Sequence, residues 1–308
     1  MKSNYKIAVM LNGHPKHLET TQNLFKHWNK LYDNIQFDFF VSIWDTIDNE
    51  YERFEKTLDY NKLDWVTKLE TLKEEDCPYD LKNHPAGQHQ PHYCYTLKKV
   101  NELRNSHNVN YDAVLQTRCD IVILRKTLDG LVSELIGSKI KGTKVTKKNI
   151  FTRSGSTIHS FYNNIKNEWI HSLWTQDTFF FGHPYVIDIF SGMFDYIFME
   201  NKYNETMLMH CFQAEYLNNH KIYNMDVNEQ GAQLLIRESY RFSEYTEGSI
   251  QVSTQTIKTK ANTNSGWGLN NPTPLQLINL INEKGMDWIY NKDNEDKVLF
   301  YFNSTPKK

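Results

Sequence analysis

Residues 111–125, Tyr-Asp-Ala-Val-Leu-Gln-Thr-Arg-Cys-Asp-Ile-Val-Ile-Leu-Arg, constrain this chain more than any other stretch. Two short apolar runs, Ala113 to Leu115 and Ile121 to Leu124, flank a polar knot, Gln116-Thr117-Arg118-Cys119-Asp120. Short runs of β-branched and aliphatic residues suit a strand covered on both faces, as in an α/β sheet. A cation and a carboxylate two positions apart are costly inside such a strand unless they are paired or coordinated. Two arrangements meet that rule. Either the strand ends at the knot and hands Arg118 and Asp120 to a solvated cleft, or the two side chains form a structural ion pair. The cleft is the expectation that the other segments favour.

Residues 5–11 read as a central strand, Asn12-Gly13-His14-Pro15-Lys16 as a turn, and Leu18 to Tyr32 as a helix with apolar positions at Leu18, Leu24, Phe25, Trp28 and Leu31. Strand, Gly-containing turn and helix open a nucleotide-binding α/β unit, in which a ligand lies beyond the carboxyl end of the strand. The helix N-terminus offers N–H groups to a phosphate, with Lys16 close by. A plain βα turn fits the same residues. Phe37 to Asp45 is a second strand, and Asp45 either grips a ribose or caps the helix expected over residues 49–58. Residues 61–91 are polar and read as a surface connection, and Tyr93 to Leu103 as a helix leading into the strand at 111.

Further along, residues 126–136 are helix-like, residues 139–161 lack clear periodicity, Ile150 to Thr152 is a short strand, and 152–156 is a mobile-loop candidate. A polar corner at Gln176-Asp177 precedes the strand Phe179 to Gly182. Apolar helices follow over Val186 to Phe198 and Glu205 to Asn218, then a short strand at Lys221 to Tyr223. Gln233 to Ser239 is a short helix or strand, and Pro274 to Tyr290 a late helix. The expected organisation is an α/β domain over residues 1–240, with 241–308 as a C-terminal extension packing on it.

Composition excludes several classes. The net charge of −2 leaves no basic field for nucleic acid, and no run approaches the roughly 20 apolar residues of a membrane span. An aromatic share of 14% disfavours disorder. Cys77, Cys94, Cys119 and Cys211 are scattered without metal spacing, which fits a reduced, cytoplasmic setting.

Asp120, at the end of a central strand, has the chemistry to bind Mg²⁺ or Mn²⁺, which one or two carboxylates and substrate phosphates commonly hold. Arg118 either contacts the same phosphates or holds Asp120 in place. Asp177 suits a general base for an acceptor hydroxyl, or a turn. Glu215 is a weaker acceptor-side candidate. His84, His89 and His92 read as a surface loop rather than a zinc site. His159, His183 or His210 could add a late metal ligand, and nothing in the sequence chooses among them. There is no Gly-x-Ser-x-Gly elbow.

In order, the stretches 7–16, 39–45, 111–121 and 176–182 resemble glycosyltransferases of the GT-A type, in particular lipopolysaccharide and capsule sugar transferases of bacteria and large DNA viruses. The resemblance implies a Rossmann-like, mostly parallel sheet flanked by helices, with C-terminal helical elements. It further implies a nucleotide-sugar donor and a glycan or lipid-linked glycan acceptor. Asn12, Gly13, His14, Lys16, Asp45 and Arg118 then belong to the donor site, and Asp120 to the metal-binding Asp-x-Asp position. Asp177 and Arg118 are the catalytic residues it points to, with Asp177 on the acceptor side. Two departures stand out. Arg118 replaces the first Asp, so either Mn²⁺ or Mg²⁺ or Arg118 itself neutralises the diphosphate. Lys16 replaces a frequent Arg, keeping charge but losing the bidentate fork. Two other classes remain: a non-catalytic nucleotide- or sugar-binding module, and a metal-dependent phosphoryl hydrolase.

Overall fold

A computed structural model describes residues 5–15, 17–44, 63–79, 89–141, 145–153, 156–163, 168–175, 178–200, 209–227, 233–235 and 272–304. Its centre is a sheet that among the described residues has seven strands. They are β1 (Tyr5–Gly13), β2 (Ile35–Trp44), β3 (Lys68–Leu72), β4 (Ala113–Arg118), β6 (Asn149–Thr152), β9 (Phe179–Gly182) and β10 (Tyr223–Asp226), in the order β10-β6-β9-β4-β1-β2-β3. β5 (Ile121–Ile123) pairs antiparallel with β11 (Gln233–Leu235), and β7 (Ser156–Asn163) with β8 (Glu168–Thr175). Strands β1, β2, β3 and β4 are mutually parallel, as are β6 and β10, while β9 runs antiparallel between β4 and β6. Both β4 and β6 therefore point the same way, and the carboxyl ends of β1, β2, β4, β6 and β10 share one edge of the sheet. This is the mostly parallel α/β architecture expected from the sequence.

Alternation along the strands fills two cores. One face carries Val9, Leu11, Phe39, Val41, Leu115 and Phe181. It packs on α1 (Leu18–Leu31), α3 (Arg125–Lys141) and the C-terminal α6 (Pro274–Lys284), α7 (Met286–Ile289) and α8 (Glu295–Ser304). The other face carries Met10, Phe40, Trp44, Val114 and Phe180, and packs on α2 (His89–Asn105), α4 (Pro184–Ser191) and α5 (Met209–Asn219). Trp28 of α1 donates its indole N–H to the Tyr290 hydroxyl at 2.8 Å, inside the first core.

Several boundaries differ from expectation. The stretch expected to be a surface connection contains β3 and the start of α2, so His92 is a buried helix residue rather than part of a surface loop. The polar knot shrinks to Cys119-Asp120. Gln116 and Thr117 continue β4 because each finds a partner: Gln116 donates to Asn12 Oδ1 at 2.7 Å, and Thr117 Oγ1 to the Thr178 carbonyl at 2.9 Å. The short strand expected at Ile150 to Thr152 is β6, which starts one residue earlier, and β7 begins at Ser156 inside the region that lacked periodicity; residues 154–155 of the loop candidate lie outside the described residues. The short strand expected at 221–223 begins only at Tyr223, after Lys221 with φ 55°. The late helix breaks at Gly285, where φ is 78°.

Candidate functional site at the carboxyl edge of the sheet

β1 ends in Gly13, whose φ of 109° suits glycine and lets the chain turn sharply out of the sheet. α1 follows, with His17 in the left-handed region at its start. The hydroxyl of Thr21, in the first turn of α1, donates to the Cys119 carbonyl at 2.9 Å and so ties that helix to the turn after β4. Parallel pairing puts Arg118 beside Asn12 and Asn12 beside Ser42. The Arg118 guanidinium grips Asp120 with both arms, Nε to Oδ1 at 2.9 Å and Nη2 to Oδ2 at 2.6 Å. Its side chain is 29% exposed and that of Asp120 12%. The two arrangements set out for this pair thus occur together: it is an ion pair, and it lies at the solvent-reaching edge next to the end of β1.

Below the pair the sheet face is polar. Asn12 and Gln116 are buried and hydrogen-bonded to each other. Asn12 Nδ2 donates to Thr96 Oγ1 at 3.1 Å and to the Tyr93 carbonyl at 3.4 Å. These bonds fix the first turns of α2 over the ends of β1 and β4. His92 of the same turns stands edge-on to Trp44, with ring centroids 4.8 Å apart, and lies 6.1 Å from the His14 ring. The Glu74 carboxylate, in a 3-10 turn after β3, is 3.4 Å from His92 Nε2. On the same face Ser42 Oγ, Trp44 Nε1, Gln116 Oε1 and Thr178 Oγ1 are buried and find no hydrogen-bond partner among the described residues. Leaving such atoms unmet costs about 1–3 kcal/mol each, so they mark a place where a polar ligand or water is favoured. All are uncharged.

The remaining sequence candidates are dispersed. Lys16, Asp45 and Asp177 lie outside the described residues. Asn12, Gly13, His14, Arg118 and Asp120 are brought together, although the Asn12 side chain is spent on internal bonds and leaves only its backbone and its position to a ligand. Glu215 is exposed on α5. His183 accepts from the Tyr185 backbone N–H at 3.1 Å as the cap of α4, at the opposite end of the sheet. Cys119 is buried against Asp120, and burial above all pushes its thiol far up, so it is no thiolate nucleophile.

Among the described residues Asp120 is the carboxylate nearest the end of β1 that could meet a divalent cation, and it is engaged by Arg118. Asp120 commits both oxygens to Arg118, and no group of three or more His, Cys, Asp or Glu side chains that could hold a metal occurs among them. Sequence reading missed Gln116, Trp44, Ser42 and Thr96 as site residues. A signal for three of them was there: Ser42 and Trp44, like Gln116 and Arg118, keep the strand's two-residue period with polar groups near the carboxyl end. Among the described residues no helix is long and apolar enough to cross a membrane.

No family model matches the chain, and no curated protein does. Among solved structures it is similar to 2-C-methyl-D-erythritol 4-phosphate cytidylyltransferase of Francisella tularensis, at 14% identity and a TM-score of 0.35, over 72% of this chain and 89% of that one. That likeness is too loose to carry an activity across.

Proposed function

We propose that this chain is a glycosyltransferase that moves a sugar from a nucleoside-diphosphate sugar to a hydroxyl of a glycan or lipid-linked glycan. One observation carries the reading. A forked guanidinium–carboxylate pair and a set of buried, uncharged polar atoms without hydrogen-bond partners among the described residues meet at the carboxyl edge of a mostly parallel sheet. That edge is where open α/β sheets bind ligands. A diphosphate calls for a cation with fork geometry, which Arg118 supplies. The polar but uncharged parts of such a donor call for neutral donors and acceptors in an enclosed site.

In this reading Arg118 neutralises the diphosphate, and Asp120 holds the guanidinium in register until the donor arrives. Gly13 and His14, with Lys16 and Asp45, flank the nucleotide. Asp177 stands on the acceptor side. No step is assigned to Mn²⁺ or Mg²⁺; if one binds at Asp120, it must displace Arg118 and would act as a Lewis acid on the diphosphate. The internally satisfied Arg118–Asp120 pair favours one competing reading, a binding module on the same fold without catalysis.

The test is a panel of uridine, guanosine and cytidine nucleotide sugars, with and without Mn²⁺, read by nucleoside diphosphate release and by melting temperature. A donor that binds the folded chain alone raises stability by about 2.7 kcal/mol at a hundredfold excess over Kd. Release of diphosphate together with a shift supports the enzyme. A shift without release from any donor supports the binding module, and no shift with any nucleotide rejects the site.

A further inference from the structure

Thr21, in the first turn of α1, is fully buried, whereas its neighbour Thr20 is half-buried. The Thr21 hydroxyl carries one proton and has three carbonyl oxygens in range: Cys119 at 2.9 Å, His17 at 3.1 Å and Leu18 at 3.4 Å. A threonine inside a helix commonly returns that proton to its own preceding turn. Here the His17 carbonyl already accepts from the N–H groups of Thr20 and Thr21, at 2.9 and 2.8 Å, and the Leu18 carbonyl is the farthest of the three. The proton therefore goes to Cys119, 98 positions along the chain.

That carbonyl belongs to the peptide that joins Cys119 to Asp120. A peptide is planar, so holding its oxygen also holds the nitrogen of Asp120. Alternation along β4 puts Arg118 in the row of Val114, on the α2 side of the sheet, while Cys119 packs into the opposite core with Leu18 and Ile121. The turn is thus gripped from both sides. Behind the sheet Thr21 holds its peptide. In front, both oxygens of Asp120 hold the Arg118 guanidinium, Nε at 2.9 Å and Nη2 at 2.6 Å. The Asp120 side chain has its base fixed to α1 and its tip fixed to the guanidinium, and Thr21 reaches the guanidinium only through that turn.

We infer that Thr21 is a positioning residue for the diphosphate: its hydroxyl, acting through the Cys119 peptide and Asp120, sets the plane of the Arg118 fork. The inference rests on the glycosyltransferase reading, in which Arg118 meets the diphosphate. A planar guanidinium makes two parallel bonds to a phosphate only when the fork faces it squarely. Without the Thr21 hydroxyl the Cys119 carbonyl loses that donor, the peptide turns more freely, and Asp120 carries the fork with it. Holding the fork in advance removes an ordering cost from binding.

The test titrates the full chain calorimetrically with UDP, GDP and CDP in the absence of metal. Thr21→Val keeps the branched shape and removes the hydroxyl, whereas Thr21→Ser keeps the hydroxyl and removes a methyl group. Thr21→Val is expected to weaken binding of the nucleotide that the parent chain takes by about five- to tenfold, with Thr21→Ser within about twofold of the parent. In an Arg118→Lys background no fork is left to aim, and the same Thr21→Val change should cost less than about twofold. A purely structural threonine lowers the melting temperature of Thr21→Val and leaves its affinity alone, and that result overturns the inference. Equal weakening in both backgrounds overturns it too, because Thr21 then acts independently of the fork. Thr21→Cys, with a weak S–H donor in place of the hydroxyl, serves if the Val variant fails to fold. Hydrogen exchange at Arg118 Nε, followed in nitrogen-15 spectra and assigned by its absence from Arg118→Lys, gives a readout that needs no nucleotide. It should quicken in Thr21→Val and return to the parent rate in Thr21→Ser; an unchanged rate in Thr21→Val overturns the inference. No binding of any of the three nucleotides by the parent chain defeats the donor-site reading and the inference with it, whereas binding that Thr21→Val leaves intact defeats the inference alone.

Discussion

Replacing Asp120 by Asn separates the two roles open to that carboxylate. Two charge-assisted bonds, at 2.9 and 2.6 Å, join it to Arg118. Hydrogen bonds to charged groups contribute about 1.5–3 kcal/mol when shielded, whereas solvent-exposed pairs contribute about 0–1 kcal/mol. With side-chain exposures of 29% and 12% the pair lies between these limits. The Asn side chain keeps an oxygen for one of the two bonds, so the loss should be about 1–2 kcal/mol, a fall of about 1.5–3 °C in melting temperature for a chain of this size. The same change releases the guanidinium toward a diphosphate. UDP or GDP binding without metal should then be unchanged or tighter by up to tenfold, about 1.4 kcal/mol. Arg118→Lys should weaken it about tenfold, because an ammonium cannot make the fork. Titration calorimetry and melting curves with and without Mn²⁺ measure both effects. If Asp120→Asn abolishes a Mn²⁺-dependent affinity while Arg118→Lys leaves binding untouched, Asp120 is a metal ligand and the role given to Arg118 is wrong.

Other perturbations probe the frame around the site. Tyr290→Phe strands the buried Trp28 indole N–H, now 2.8 Å from the hydroxyl; the expected loss is about 1–3 kcal/mol by urea denaturation, and none would mean that α7 does not dock on α1 as described. Gly13→Ala meets nothing within 4 Å of its new Cβ, so its whole cost is the backbone at φ 109°, about 1–3 kcal/mol; an unchanged denaturation midpoint would show that this turn is not held in that conformation. Burial, partly offset by Asp287, holds the His27 imidazole below its usual range. The unfolded chain therefore binds this proton first as pH falls, so stability is full above the unfolded value of 6.5 and declines below it toward the folded value. Denaturation at pH 7 and pH 5.5 should show that decline, and a shallower one in His27→Gln; identical slopes would reject it.

What the sequence determined by itself was the local grammar. Residues 5–11, Phe37 to Asp45 and Ala113 to Leu115 read as strands, the last of them buried on both faces, and Leu18 to Tyr32 reads as a helix, from periodicity and residue type alone. Charge placement also marked Arg118 and Asp120, since neither belongs in a dry strand without compensation. What only the tertiary structure decided was which polar groups compensate one another. Gln116 became a strand residue because Asn12, a hundred positions earlier, waits beside it with an acceptor. Thr96 and Tyr93 then bind Asn12 and bring α2 over the same edge. His210 was one of three equivalent histidines until folding set it 2.9 Å from the Thr175 carbonyl. Strand and helix preferences act over a few neighbours, whereas a hydrogen bond between distant residues exists only once the sheet order has placed them together.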